Sequence, residues 1–237
     1  MRTSVAQTAG AGLRALVAVV RTLRTAPRPL HPRGVVRHGT LVLDAPDGPD
    51  AGVAPGAREL GAPLVAPVVA RVSRSVGLPA PLPDVIGVAA RWTVDGRPQD
   101  LLLSSTGLGR ATRFLLAPRR RPLGGGFGTL MPFLDSGGRP VLLAAVPTPG
   151  ADPSARDGLD LILLSARPGG AWRRCGRLVC PARPDDTDDP ALRFDPVLHV
   201  PGTLRVPRWA ARLRVPSYRE ARGGDEPDRR APAGVTA

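Results

Sequence analysis

The reactive side chains that are scarce in this sequence are three histidines, at 31, 38 and 199, two cysteines, at 175 and 180, and one tyrosine, at 218. No two of the histidines share the short spacing of a zinc motif, and none has an acidic partner beside it, so a zinc site is not expected. The glycine clusters at 107–109 and 124–128 lack the following Lys-Ser/Thr pair and the strand-glycine-helix setting of a phosphate loop or a dinucleotide fold. No G-x-S-x-G elbow supports a serine nucleophile. Cys175 and Cys180 stand five apart on what reads as a strand, which would aim them at opposite faces, and no disulfide framework is expected.

The elements that must position any site follow from composition and periodicity. The chain has 237 residues, 42% of them hydrophobic, enough for one sizeable core. With 28 Gly and 29 Pro, long helices are disfavoured and strands joined by turns are favoured. Strands are predicted at 34–44, 68–73, 85–94, 100–104, 127–132, 140–146, 159–165 and 171–179. Asp95-Gly96 marks a tight hairpin. Residues 45–67 read as a loop and 106–116 as a short helix. About eight strands with short turns predict a closed antiparallel β-barrel, because closure removes exposed edges. Leu13, Leu16, Val17, Val20 and Leu23 recur at helical spacing and predict an amphipathic helix within 1–26. Trp209 to Leu213 predicts a short C-terminal helix. The expected class is therefore α+β, mainly β, with a barrel domain over 27–222 and a disordered tail over 223–237.

The net charge is +13, and all 33 basic residues are Arg. Those arginines are spread along the whole chain and aromatics make up only 3%, so neither a nucleic-acid stripe nor a base-stacking surface is expected. The uncharged apolar run 15–20 is too short for a signal or membrane-spanning segment, and a cytoplasmic protein is expected. The N-terminal helix could rest peripherally on a membrane, although such a stripe more often packs on its own domain.

Several segments, read in order, carry a resemblance. Arg28-Pro29-Leu30-His31-Pro32-Arg33-Gly34-Val35 resembles the catalase segment in which an Arg three positions before a His leads into the first barrel strand. Ala70-Arg71-Val72-Ser73 resembles V-R-F-S, Asp84-Val85-Ile86-Gly87-Val88-Ala89 resembles D-V-R-G-F-A, and Asp100 to Thr106 resembles D-L-V-G-N-N-T. Cys175 to Val179 resembles V-G-K-L-V. Phe194-Asp195-Pro196 with Val200-Pro201-Gly202 resembles the F-D-P and V-P-G pair, and Arg214-Val215-Pro216-Ser217-Tyr218 resembles R-L-F-S-Y. Each is weak alone; seven in the same order over 28–218 identify a similarity to the catalase superfamily.

That resemblance implies haem as cofactor, with Tyr218 as its iron ligand and Arg214 lowering the phenol's pKa from about 10. Pro216 between them interrupts a simple helical turn. His31 would move the peroxide proton, as an imidazole titrating near about 6.5 can. Ser73 would orient that imidazole, and Arg28 and Arg71 would bind the haem propionates. Ser104 stands where catalases carry the first Asn of N-N-T, and Phe114 and Phe127 are the nearest candidates for ring contacts. The shorter Ser104 hydroxyl favours peroxidase-type chemistry on hydrogen peroxide or an organic hydroperoxide over fast disproportionation. The alternative is a non-catalytic barrel of the same fold that binds haem, lipid or a protein partner.

Overall fold

The computed structural model describes residues 33–44, 54–79, 81–187 and 192–210. Nine strands form in chain order: β1 (Arg33–Leu43), β2 (Leu64–Arg74), β3 (Ile86–Val94), β4 (Arg97–Ser105), β5 (Phe127–Gly128), β6 (Phe133–Leu134), β7 (Pro140–Pro147), β8 (Gly158–Ala166) and β9 (Arg173–Pro181). Every pairing is antiparallel. β5 pairs with both β4 and β7, and β1 with both β2 and β9, so eight strands close into a barrel while β6 adds a short flap on β7.

Alternation sets the two faces. Leu41, Leu43, Ala66, Val68, Ala70, Val88, Ala90, Trp92, Leu101, Leu103, Val141, Leu143, Leu159, Leu161 and Leu178 point inward as one core, and their sequence neighbours face out. The β3–β4 turn is the expected hairpin, with Asp95 at φ 50° and Gly96 at φ 74°, a pair of left-handed residues whose twist matches the strands. β2 starts earlier than the sequence suggests. Its Pro67 pairs with Thr40 of β1 just before the β3 pairing begins at Val68, a position with a neighbour on one side only, where a missing N–H is tolerated. β5 is shorter than expected, because Leu130 turns into the left-handed region at φ 58° and breaks the ladder.

The α+β expectation is corrected to an all-β barrel. Among the described residues, helix is limited to a 3-10 turn at Thr112–Phe114 and a short stretch at 208–210. The helix expected over 106–116 does not form. Gly107 and Gly109 weaken it, and Leu116 instead bridges back to Thr106. The N-terminal helix is no part of the observed architecture, and the residues proposed for it, 13–23, lie outside the described residues, as do most of 209–213 and all of 223–237.

Cysteine placement also differs from the alternation rule. A bulge between Leu163 and Leu164 puts Cys175 out of phase, so Cys175 and Cys180 both enter the core instead of opposing faces. Both are free thiols, and burial pushes each up to about 12.

Candidate functional site

The site implied by the resemblance needs Arg71, Ser73 and Ser104 on one face, and register supplies that. Gly34 of β1 pairs with Ser73 of β2, Ser73 with Gly87 of β3, Gly87 with Ser104 of β4, and Ser104 with Gly128 of β5. Directly paired residues share a face, so these five make one row across the outside of the barrel. With strands about 4.8 Å apart, Ser73 and Ser104 stand roughly 10 Å from each other. Arg71 lies two residues along β2 from Ser73 and therefore faces the same way. Its guanidinium folds back over Gly34, where an added Cβ would come within 2.6 Å of the guanidinium carbon. Ser73 is buried and Ser104 half-buried.

The remaining predicted site residues fall otherwise. Arg28, His31, Arg214 and Tyr218 lie outside the described residues. Phe127 is fully buried and points into the barrel beneath the Arg119 guanidinium, 5.4 Å from the ring centre, so it cannot line the outer row. Phe114 is exposed. Ser105, adjacent to Ser104, points inward, where its hydroxyl donates to the Ala117 carbonyl at 2.8 Å and accepts from the Ile86 amide at 3.0 Å.

Volume decides where a ligand could sit. Inside the barrel, side chains leave only about 20 Å³, far below the several hundred of a cofactor pocket, so the interior is closed to one. A depression of about 640 Å³ opens at the far end of β1, lined by Val42, Leu43, Asp44, Pro63, Leu64, Val65 and Arg174. Its charged groups satisfy each other, Arg174 Nε standing 2.9 Å from the Asp44 carboxylate, and it contains none of the candidate residues. The outer row is a better wall for a flat cofactor. It has no side chain at Gly34, Gly87 and Gly128 and short hydroxyls at Ser73 and Ser104; Arg71 lies over Gly34, Thr106 stands beside Gly128, and Ser73, Gly87 and Gly128 are buried. These residues fit one side of a planar ring carrying carboxylates.

Sequence reasoning missed a second constellation, a buried carboxylate hub. Asp100, on the outer side of β4 and wholly buried, receives Arg91 Nε and Nη2 at 2.6 Å each, the amide of Asp195 at 2.6 Å, and stands 3.0 Å from His199 Nδ1. The hydrogen bond to Asp100 raises the Arg91 pKa. Gln99 beside it accepts from the Gly202 amide. Asp84 plays a similar part at the other end of β3, accepting from the amides of Val76, Gly77 and Leu78 at 3.1, 2.9 and 3.0 Å. All of these residues except Arg91, Gln99, His199 and the three turn residues belong to the segments that carry the resemblance. Asp100 and the Phe194 to Gly202 segment could have been linked only by knowing that they meet.

Comparison with known proteins agrees at the level of fold. A solved structure described as a bacterial catalase superposes with a TM-score of 0.52 at 14% identity, covering 90% of this chain and 61% of that one. This chain thus spans about three-fifths of the catalase it matches and has a catalase-like fold. No family model matches the sequence, and no curated protein does.

Proposed function

We propose that this protein binds haem against the outer row of β1–β5 and performs peroxidase-type chemistry on hydrogen peroxide or an organic hydroperoxide. The observation that carries this reading is the co-facial placement of Arg71, Ser73 and Ser104, the two serines standing in a row whose other members are Gly34, Gly87 and Gly128.

Haem, when bound, supplies the redox-active iron at which a peroxide O–O bond is cleaved. The chain's own contribution is positional and acid–base. Arg71, with Arg28, would hold the carboxylates of the group, as a planar guanidinium can. His31 precedes β1 by two residues in the sequence, and Gly34 of that strand belongs to the row. The His31 imidazole accepts the proton of the bound peroxide and returns it to the departing oxygen. The Ser73 hydroxyl fixes the ring orientation, and the Ser104 hydroxyl donates to peroxide oxygen. Tyr218, its phenolate favoured by Arg214, would hold the iron.

Reconstitution with haem tests this reading. Wild type should develop a Soret band, Tyr218→Phe should lose or shift it, and His31→Ala should keep it while peroxide-dependent dye oxidation falls by about 10²- to 10⁴-fold. A wild-type protein that takes up no haem ends the proposal.

A further inference from the structure

The segment between β4 and β5 combines three features that the haem reading does not use. Phe114, Leu115 and Leu116 are consecutive and exposed, at 42%, 60% and 43%. Arg110, Arg120 and Arg121 flank them, all exposed and without a carboxylate partner among the described residues. From 101 to 134 the sequence contains no Asp or Glu, while residues 108–121 contain five Arg. Elsewhere on the barrel, arginines such as Arg37, Arg91, Arg139, Arg167, Arg174 and Arg177 meet carboxylates.

The exposed tip is held in place from both sides. The Arg113 guanidinium lies 4.6 Å from the centre of the Trp172 ring and donates to the carbonyls of Gly109, Arg167 and Gly170. On the far side the Ala117 amide donates to the Ser105 carbonyl at 2.8 Å, and Arg119 and Asp84 exchange both backbone hydrogen bonds, at 2.8 and 3.0 Å. The apolar side chains are thus displayed by a fixed backbone.

We propose that this loop docks the protein on an anionic phospholipid surface, with Phe114, Leu115 and Leu116 entering the acyl boundary and Arg110, Arg120 and Arg121 meeting the headgroup phosphates. Charge complementarity selects the occupant. The chain's own terminal segments do not supply it: residues 1–43 contain no acid, and residues 211–237 hold six Arg against four acids. A nucleic acid would use the arginines but leave Leu115 and Leu116 in water, with Phe114 alone to stack on a base. An apolar tip ringed by cations matches the interfacial geometry of a membrane instead.

The test is co-sedimentation of the full chain with vesicles of phosphatidylcholine alone and of phosphatidylcholine with about a third phosphatidylglycerol. Binding should require the anionic lipid. It should weaken at least about tenfold in Arg110→Ser/Arg120→Ser/Arg121→Ser, since each cation near the surface is worth roughly fivefold. Leu115→Ser/Leu116→Ser should lower it comparably, and both variants, altered only at exposed positions, should retain the wild-type circular dichroism and melting temperature. No binding to anionic vesicles overturns the proposal, as does binding that both variants preserve, which would place the contact elsewhere on the chain. Loss in the arginine variant alone, matched by equal loss of duplex DNA binding, would show a general polyanion surface and also overturn it.

Discussion

The backbone amide of Asp195 donates to the buried carboxylate of Asp100 at 2.6 Å, across 95 positions of sequence. The same carboxylate takes both nitrogens of Arg91, so β3, β4 and the Phe194 to Gly202 segment are joined at one group. Two stretches that look like unrelated fragments of a family pattern are in fact two halves of one contact.

Asp100→Asn should cost about 3 kcal/mol, because removing one partner of a buried pair leaves the other charge desolvated and uncompensated. Urea denaturation of the variant would show a lower midpoint with little change in slope. An unchanged midpoint would mean that Arg91 finds solvent without penalty. In that case the hub would contribute register and no stability.

The sequence made the strands legible because inner and outer residues alternate along much of β2 to β4, and because Asp95-Gly96 is a turn that few backbone geometries accept. The outer row was legible only by resemblance; composition alone does not place Ser73 and Ser104 two strands apart on one face. What stayed hidden were events that break periodicity: the bulge that brings Cys175 inward, the left-handed Leu130, and the hub, whose members are far apart in the chain. The short helix expected at 106–116 failed for a different reason. Tertiary contacts of Arg113 and Leu116 outweigh local preference there.

Closure of the barrel at the β1–β9 seam depends on Gly39. An added Cβ would stand 2.0 Å from the Val179 carbonyl oxygen, and that oxygen is backbone, so neither strand can yield locally. Gly39→Ala should therefore destabilise by about 3 kcal/mol or more. Gly96→Ala offers the control, since at φ 74° nothing lies within 4 Å and only the left-handed conformation resists, at about 1–2 kcal/mol. Thermal melts of the two variants should rank in that order. The reverse ranking would show that the seam opens readily.

Asp135 gives the protein an acid limb. Burial alone would raise its pKa from 3.8, but the Arg139 amide and the Arg167 guanidinium outweigh burial and hold it at about 2. A carboxyl depressed in the folded state binds its proton more readily when unfolded, so its contribution is complete above about pH 4 and is lost as pH falls toward 2. Wild type should lose stability steeply over that window. Asp135→Asn should be less stable at neutral pH and flatter below pH 4. Parallel curves for the two proteins would assign the acid limb to other carboxylates.

The last prediction concerns the two adjacent serines that alternation sends to opposite sides of β4. Ser104 is half-buried and faces the outer row between Gly87 and Gly128, neighbours without side chains. Ser105 is wholly buried and already bonded to Ala117 and Ile86, so an Asn there must displace inner contacts and should cost about 1–3 kcal/mol. If the outer row is the peroxide-facing wall, the longer amide at 104 can reach a second peroxide that a hydroxyl cannot. Preorganised donors of that kind lower the barrier where charge develops. Ser104→Asn should accordingly raise oxygen release from hydrogen peroxide relative to dye oxidation at equal haem content, with stability close to wild type. Ser105→Asn should lower stability and leave that ratio alone. Oxygen-electrode traces and urea melts on both variants decide the matter, and an equal change of ratio in both would remove the outer face of β4 from the chemistry.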